Sequence, residues 1–210
     1  MLRRKKAQQK IEELNGDHFT YRKSVVHGFP TSPSAIAFEQ ELGFLLLGTS
    51  KGELRVYGCP GVEYLGVLEP RASITHIFTF GKLHQFLTVA NDNSIALWAL
   101  KDADEDSRFV LSCEKRYALS TDAGKVITSC SVSRTSGYVH LGTEGGNVYS
   151  LDIKSFDLSN VVIFWNNATA LSQPAAQTHP GAVKSLQPSP TDPNKVISIA
   201  TSLPRQVCEW

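Results

Sequence analysis

At 210 residues, 41% hydrophobic and 20% charged, the chain has the make-up of a globular protein with room for one large or two small domains. A formal net charge of +1 gives no global attraction to nucleic acid, and no apolar run approaches the ~18 residues of a membrane-spanning helix. Cys59, Cys113, Cys130 and Cys208 stand far apart with no C-x-x-C pair, which argues against a zinc site or a disulfide framework.

The first ten residues hold Arg3, Arg4, Lys5, Lys6 and Lys10 and no acid. Ala7, Ile11 and Leu14 recur at helical spacing, and Asn15-Gly16 supplies a stop. The charge order opposes the helix dipole, and a helix this short is marginal alone. Residues 1–20 are therefore expected to be a basic arm, helical or disordered.

From Phe19 onward the periodicity is that of strands. Tyr21 to Val26 is a β-prone lead-in, Gly28 and Pro30 punctuate, and Ala35 to Phe38 begins a strand. Phe44 to Thr49 is a continuous apolar run, as in a strand covered on both faces. A turn at Ser50-Lys51-Gly52 leads to the alternating segment Glu53 to Tyr57, and Pro60-Gly61 turns the chain again before Val62 to Leu68. Four strands joined by short loops form the unit of a propeller blade.

The pattern returns in FLTVANDNSIALWAL (Phe86 to Leu100), YVHLGTEGGNVYSLDI (Tyr138 to Ile153) and, degraded, in KVISIATSLPRQVCEW (Lys195 to Trp210). Each copy follows a candidate first strand: Ile74 to Phe80, Val126 to Val132 and Val183 to Leu186. Gly48, Ala90, Gly142 and Ala200 are expected to mark equivalent points, at intervals of about 42, 52 and 58 residues. Polar stretches at Lys101 to Ser107 and Ser172 to Thr178 look like surface loops. The fold class is all-β: a partial WD40-type propeller of about three and a half four-stranded blades, near 25–68, 73–118, 125–165 and 182–210. The Trp-Asp ending survives only as Leu97-Trp98 and Leu151-Asp152.

Enzyme signatures are missing: there is no Walker loop, dinucleotide fingerprint, nucleophile elbow or H-E-x-x-H. Gly142 with Gly145-Gly146 lacks the helix and lysine of a phosphate loop and reads as a hairpin turn. Asn91 to Asn93 lacks the glycine and terminal glutamate of a calcium loop and reads likewise. His27 and His179 precede turn elements and have no nucleophile or acid near them in sequence. Cys113 and Cys130, in alternating apolar segments, are expected to be small buried hydrophobes. Trp98, Trp165 and Trp210 are expected to pack between blades. No cofactor or metal is expected. The residues singled out are structural: Gly28, Pro30, Gly48, Gly52, Pro60, Gly61, Trp98, Gly142 and Gly146.

The stretch VVHGFPTSPSAIAFEQELGFLLLGTSKGELRVYGCPGVEYLG resembles the opening blade of the lethal giant larvae and tomosyn (syntaxin-binding) family. The H-G-F-P element, the P-S-A-I-A-F strand, L-G-T and G-C-P-G-V-E occur in the family's order, and LGTEGGNVYSLDIKSFDLS and VIFWNNATALS…THPGAVKSL continue the likeness. The resemblance implies a non-enzymatic scaffold that regulates SNARE-dependent vesicle exocytosis through syntaxin-type SNARE proteins. It also implies cell-polarity partners and non-muscle myosin II on the lethal giant larvae branch. The expected location is the cytoplasm, with peripheral association at the plasma membrane. A generic propeller platform in an unrelated assembly is the alternative. The resemblance reaches only the N-terminal part of such proteins, and Leu203-Pro204-Arg205 departs from a regular strand. An open partial ring exposes the flank of its last blade, which closure would cover, so the isolated chain is expected to be marginal or to need a partner that covers that face.

Overall fold

The computed structural model describes residues 28–59, 62–80, 84–103, 108–122, 125–133, 137–160, 162–164, 181–192, 195–200 and 207–209. The N-terminal arm, Pro60, Gly61, Trp165, Trp210, His27, His179 and Leu203 to Arg205 lie outside these residues. Every regular element described is a strand.

The strands fall into four antiparallel sheets, each a meander in chain order. The first contains β1 (Pro33–Glu39), β2 (Phe44–Thr49), β3 (Glu53–Tyr57) and β4 (Glu63–Val67). The second contains β5 (Ile74–Phe80), β6 (Gln85–Ala90), β7 (Ser94–Ala103) and β8 (Arg108–Ala118). The third contains β9 (Ile127–Ser133), β10 (Tyr138–Thr143), β11 (Asn147–Asp152) and the short β12 (Ile163–Phe164). The fourth contains β13 (Val183–Pro188), β14 (Val196–Ala200) and β15 (Val207–Glu209).

Alternation along each strand decides which side chains enter which seam. On sheet 1, Leu46, Leu54 and Val56 face sheet 2 and meet Ile74, Ile77, Phe86, Ala96 and Trp98. The opposite face of sheet 2 sends Leu87, Val89, Ile95 and Leu97 against Val139, Leu141 and Leu151 of sheet 3. Between sheets 3 and 4 the apolar cluster shrinks to Val148, Val183, Leu186 and Val196. The core is therefore a series of seams between stacked sheets, as in propellers.

Two expectations are corrected. Ala90 was expected to match Gly48 and Gly142, but the turns set a different register. The amide of Gly52 donates to Thr49, that of Asn93 to Ala90 and that of Gly146 to Thr143. Ala90 is thus the counterpart of Thr49 and Thr143, and Val89 that of Gly48 and Gly142; Ala200, also expected to match Gly48, pairs with Val183 as Thr49 does with Pro33, so Ile199 stands in the glycine's place. Cys113, expected to be buried, is exposed, because β8 is the outermost strand of its sheet and has a neighbour on one edge only.

Candidate functional site

The sequence places chemistry-bearing residues sparsely, and the structure does not gather them. Among the described residues there is no group of three or more His, Cys, Asp or Glu placed to hold a metal ion, and no helix is long and apolar enough to cross a membrane. What the fold builds instead are seams, turns and faces.

The first recurring device is a β-bulge. Pairing between the innermost two strands of every sheet slips by one residue near the start of the inner strand, skipping Ser34, Thr75, Thr128 and Lys184. A bulge turns the skipped side chain away from the ladder. Ser34 Oγ donates to the Ile74 carbonyl at 2.6 Å, and Thr128 Oγ1 to the Val183 carbonyl at 2.7 Å. Each bond ties one sheet to the first inner residue of the next. Thr75 Oγ1 donates to Val89 O within its own sheet at 3.0 Å.

These bonds are short-ranged because the backbones approach closely. A Cβ on Gly48 would lie 2.6 Å from Ile74 Cγ2, and one on Gly142 would lie 2.6 Å from Val183 Cγ1. Gly52 stands in the hairpin turn at φ +77°, with Ala72 O 2.9 Å from where its Cβ would be. Gly146 occupies the equivalent turn at φ +83°, and Asn93 fills it in sheet 2 at φ +63°. Asparagine tolerates this conformation and brings a side chain. Asn93 Nδ2 donates to the carbonyls of Ser120 and Lys125, while Oδ1 accepts from the Ile127 amide at 2.9 Å. The turn of sheet 2 is thereby bonded to the entry of sheet 3.

Trp98 is buried in the seam between sheets 1 and 2, where its indole N–H donates to Thr88 Oγ1 at 2.9 Å. Its ring lies on Gly66: a Cβ there would be 2.5 Å from Cζ3. Gly28 has φ +109°, and its carbonyl accepts from Tyr57 Oη at 3.1 Å. Pro30 is half-buried between Phe29 and the start of β1. Next to residues 60–61, which lie outside the described residues, the Val62 amide donates to Cys59 O and the Gly58 amide to Val62 O.

The seam between sheets 3 and 4 is polar. His140 is buried, with Nδ1 2.9 Å from Ser150 Oγ, and its Nε2 has no hydrogen-bond partner among the described residues. Ser129 and Ser131, on the same face, also hold buried hydroxyls without partners there. Burial pushes the imidazole down to about 4. Burial likewise pushes the Cys130 thiol up to about 12, so it is a poor nucleophile.

The outward face of sheet 1 is different in kind. Ile36, Phe38 and Leu65 are exposed on it, Phe29 packs against Tyr57 at 5.8 Å, and Arg55 bridges Glu53 and Glu63 at 3.2 Å each. Exposed apolar side chains gathered on one face mark an interaction surface rather than a reaction centre.

Sequence reading missed the bulge hydroxyls, Gly66, Asn93 and this face. A signal for the first was present: Pro-Ser-Ala, Ile-Thr-His and Ile-Thr-Ser open the first three inner strands with a hydroxyl in second place.

Stacked four-stranded meanders with seams of this kind define a β-propeller. The β-propeller domain of Cps50 (Swd1) from Myceliophteria thermophila superposes with a TM-score of 0.64 at 17% identity, over 85% of this chain and 53% of that one. The computationally designed Ika8 protein does so at 0.56 and 17%, over 87% and 46%. No protein-family profile matches the chain. Curated relatives do: LLGL scribble cell polarity complex component 2 of Homo sapiens is 32% identical over 89% of this chain, and Lethal(2) giant larvae protein of Drosophila melanogaster 32% over 88%. Lethal(2) giant larvae protein homolog 1 of Rattus norvegicus is 30% identical over 93%. The chain belongs to the lethal giant larvae and tomosyn family. It spans about a fifth of the length of these relatives, 16–20%.

Proposed function

We propose that the chain contributes a non-enzymatic propeller scaffold to SNARE-dependent vesicle exocytosis and to cell polarity. It does so by binding syntaxin-type SNARE proteins at the plasma membrane from the cytoplasm. Polarity proteins and non-muscle myosin II are further partners under this reading. The observation that carries it is the likeness to lethal giant larvae proteins across about nine-tenths of the chain, including the HGFP and PGVE elements of the first sheet. The geometry supports a binding role: the conserved chemistry of an enzyme needs converging polar groups in a cleft, whereas here the exposed apolar residues cluster on a sheet face.

A pull-down with the cytosolic part of a plasma-membrane syntaxin tests this. The immobilised chain is expected to retain syntaxin at micromolar concentration, and Gly52→Val, which disrupts the first sheet, to lose it. If neither this chain nor a version extended to the relatives' length retains syntaxin, the exocytosis reading is wrong.

A further inference from the structure

The turns that align the sheets also align what each sheet presents to the next. In sheet 1, Leu46 and Val56 stand opposite each other on β2 and β3 and face sheet 2. In sheet 2 the same pair is Leu87 and Leu97, facing sheet 3. In sheet 3 it is His140 and Ser150, on the side turned to sheet 4. The inner strand makes the same change: Ala37 and Phe78 pair with the two leucines, and Ser131 pairs with His140. One step along, Ser129 pairs with Gly142, and a Cβ on that glycine would lie 2.5 Å from Ser129 Oγ and 2.6 Å from Val183 Cγ1.

Three polar atoms of this patch have no hydrogen-bond partner among the described residues: His140 Nε2, Ser129 Oγ and Ser131 Oγ. Their residues are more than nine-tenths buried, at 7%, 5% and 7% exposure. Nδ1 of His140 is engaged by Ser150 Oγ, so in either tautomer Nε2 keeps an unused donor or acceptor. Sealing such atoms from water costs free energy that only water or a polar partner returns. Parting either of the first two seams would expose leucines and is opposed throughout. Parting the third exposes Val183, Leu186 and Val196, but it also returns three orphaned polar atoms to water.

We infer that the protein opens locally at this seam: sheet 4 parts from sheet 3 while sheets 1 to 3 stay packed. The opening is favoured by protons, because the imidazole takes one up once water reaches it. Among the described residues, the groups around that imidazole leave it uncompensated. From β9 they are Ser129 and Ser131, and from its own strand Tyr138, with ring centroids 6.5 Å apart. From β11 they are Ser150 and, farther along, Asp152, whose carboxylate accepts from the amides of Lys154 and Ser155. Sheet 4 brings Val183, Leu186, Val196 and Ser198, none of which ionises, and Lys184, skipped at the bulge, is exposed. Burial therefore acts on the ring without a counter-charge and holds it down at about 4.

Native-state hydrogen exchange on the 210-residue chain, with rates corrected for their intrinsic pH dependence, provides the test. The reporter is β14, the middle strand of β13-β14-β15, because a few short strands do not hold without a packed face. The reference is β6, in the middle of sheet 2. At pH 7.5 the β14 amides are expected to be at least about tenfold less protected than those of β6. Ile77→Val, a cut in the seam between sheets 1 and 2, is expected to lower β6 protection about two- to tenfold and to leave β14 unchanged, since that seam stays closed in the opening. From pH 7.5 to 5.5 the protection of β14 should fall about tenfold more in the wild type than in His140→Gln, which cannot take the proton. Equal protection in β14 and β6 overturns the proposal, and so does a fall of β14 together with β6 in Ile77→Val. A pH dependence of β14 that is the same in His140→Gln also overturns it, because the opening would then leave the imidazole sealed.

Discussion

Gly48 and Gly142 show what a missing Cβ accomplishes at a seam. Each lets an inner strand of the following sheet approach to where Ile74 or Val183 would collide with alanine. Gly48→Ala should lower unfolding free energy by about 1–3 kcal/mol, the usual range for overpacking a filled core; an unchanged urea midpoint would show that Ile74 can move aside. His140 makes a second prediction at this scale. Folded, its imidazole stays neutral down to about pH 4; unfolded, it takes a proton near its ordinary value of about 6.5. The unfolded chain therefore holds the extra proton between these values, so the contribution is intact above about pH 6.5, declines as pH falls, and is gone below about 4. The wild type should lose about 3 kcal/mol more than His140→Gln between pH 7.5 and 4. Parallel denaturation midpoints for the two proteins across that range would contradict it.

At the scale of elements, the links between sheets matter more than the sheets. Each sheet is a local meander whose turns close within a few residues, but sheets 2 and 3 are joined by one buried side chain that makes three bonds. Asn93→Ala removes all three and places a Cβ-only residue at φ +63°. A loss of about 2–4 kcal/mol is expected, combining an orphaned amide with left-handed strain. Asn93→Gly keeps the turn without the bonds and should cost less. Thermal melts of the pair separate the two effects: the loss in Asn93→Gly reads the bonds, the further loss in Asn93→Ala reads the strain, and equal losses would show that strain contributes nothing. The hydroxyl of Thr128 allows a cleaner cut still, because Thr128→Val preserves shape and deletes only the hydroxyl's bonds to Val183 O and Gly142 O.

For the molecule as a whole, the apolar side chains of Ile36, Phe38 and Leu65 on the outward face of sheet 1 meet water. A partner that binds the folded chain stabilises it by mass action, so the melting temperature should rise as the cytosolic part of syntaxin, the partner proposed above, is added in excess. A midpoint independent of syntaxin concentration would count against that partner.

Strand rhythm, turn residues and the fourfold recurrence are local properties, and the sequence by itself determined them. Alternation in Glu53 to Tyr57 and the glycines at Gly52 and Gly146 specify strands and turns without reference to anything distant. The wording of HGFP and PGVE carried the family resemblance in the same way. Register was less legible. Ala90 looks like a glycine substitute, yet it sits one residue past the close approach, because the position of Asn93 in the turn, not residue size, sets the pairing. Cys113 looked buried by alternation, but alternation does not say which strand lies outermost. Tertiary structure alone decided which faces meet. Ile36 and Ile77 are the same residue in the same register, and one is open while the other is sealed. The difference lies in whether a sheet stands in front of it, and burial is a property of neighbours rather than of sequence.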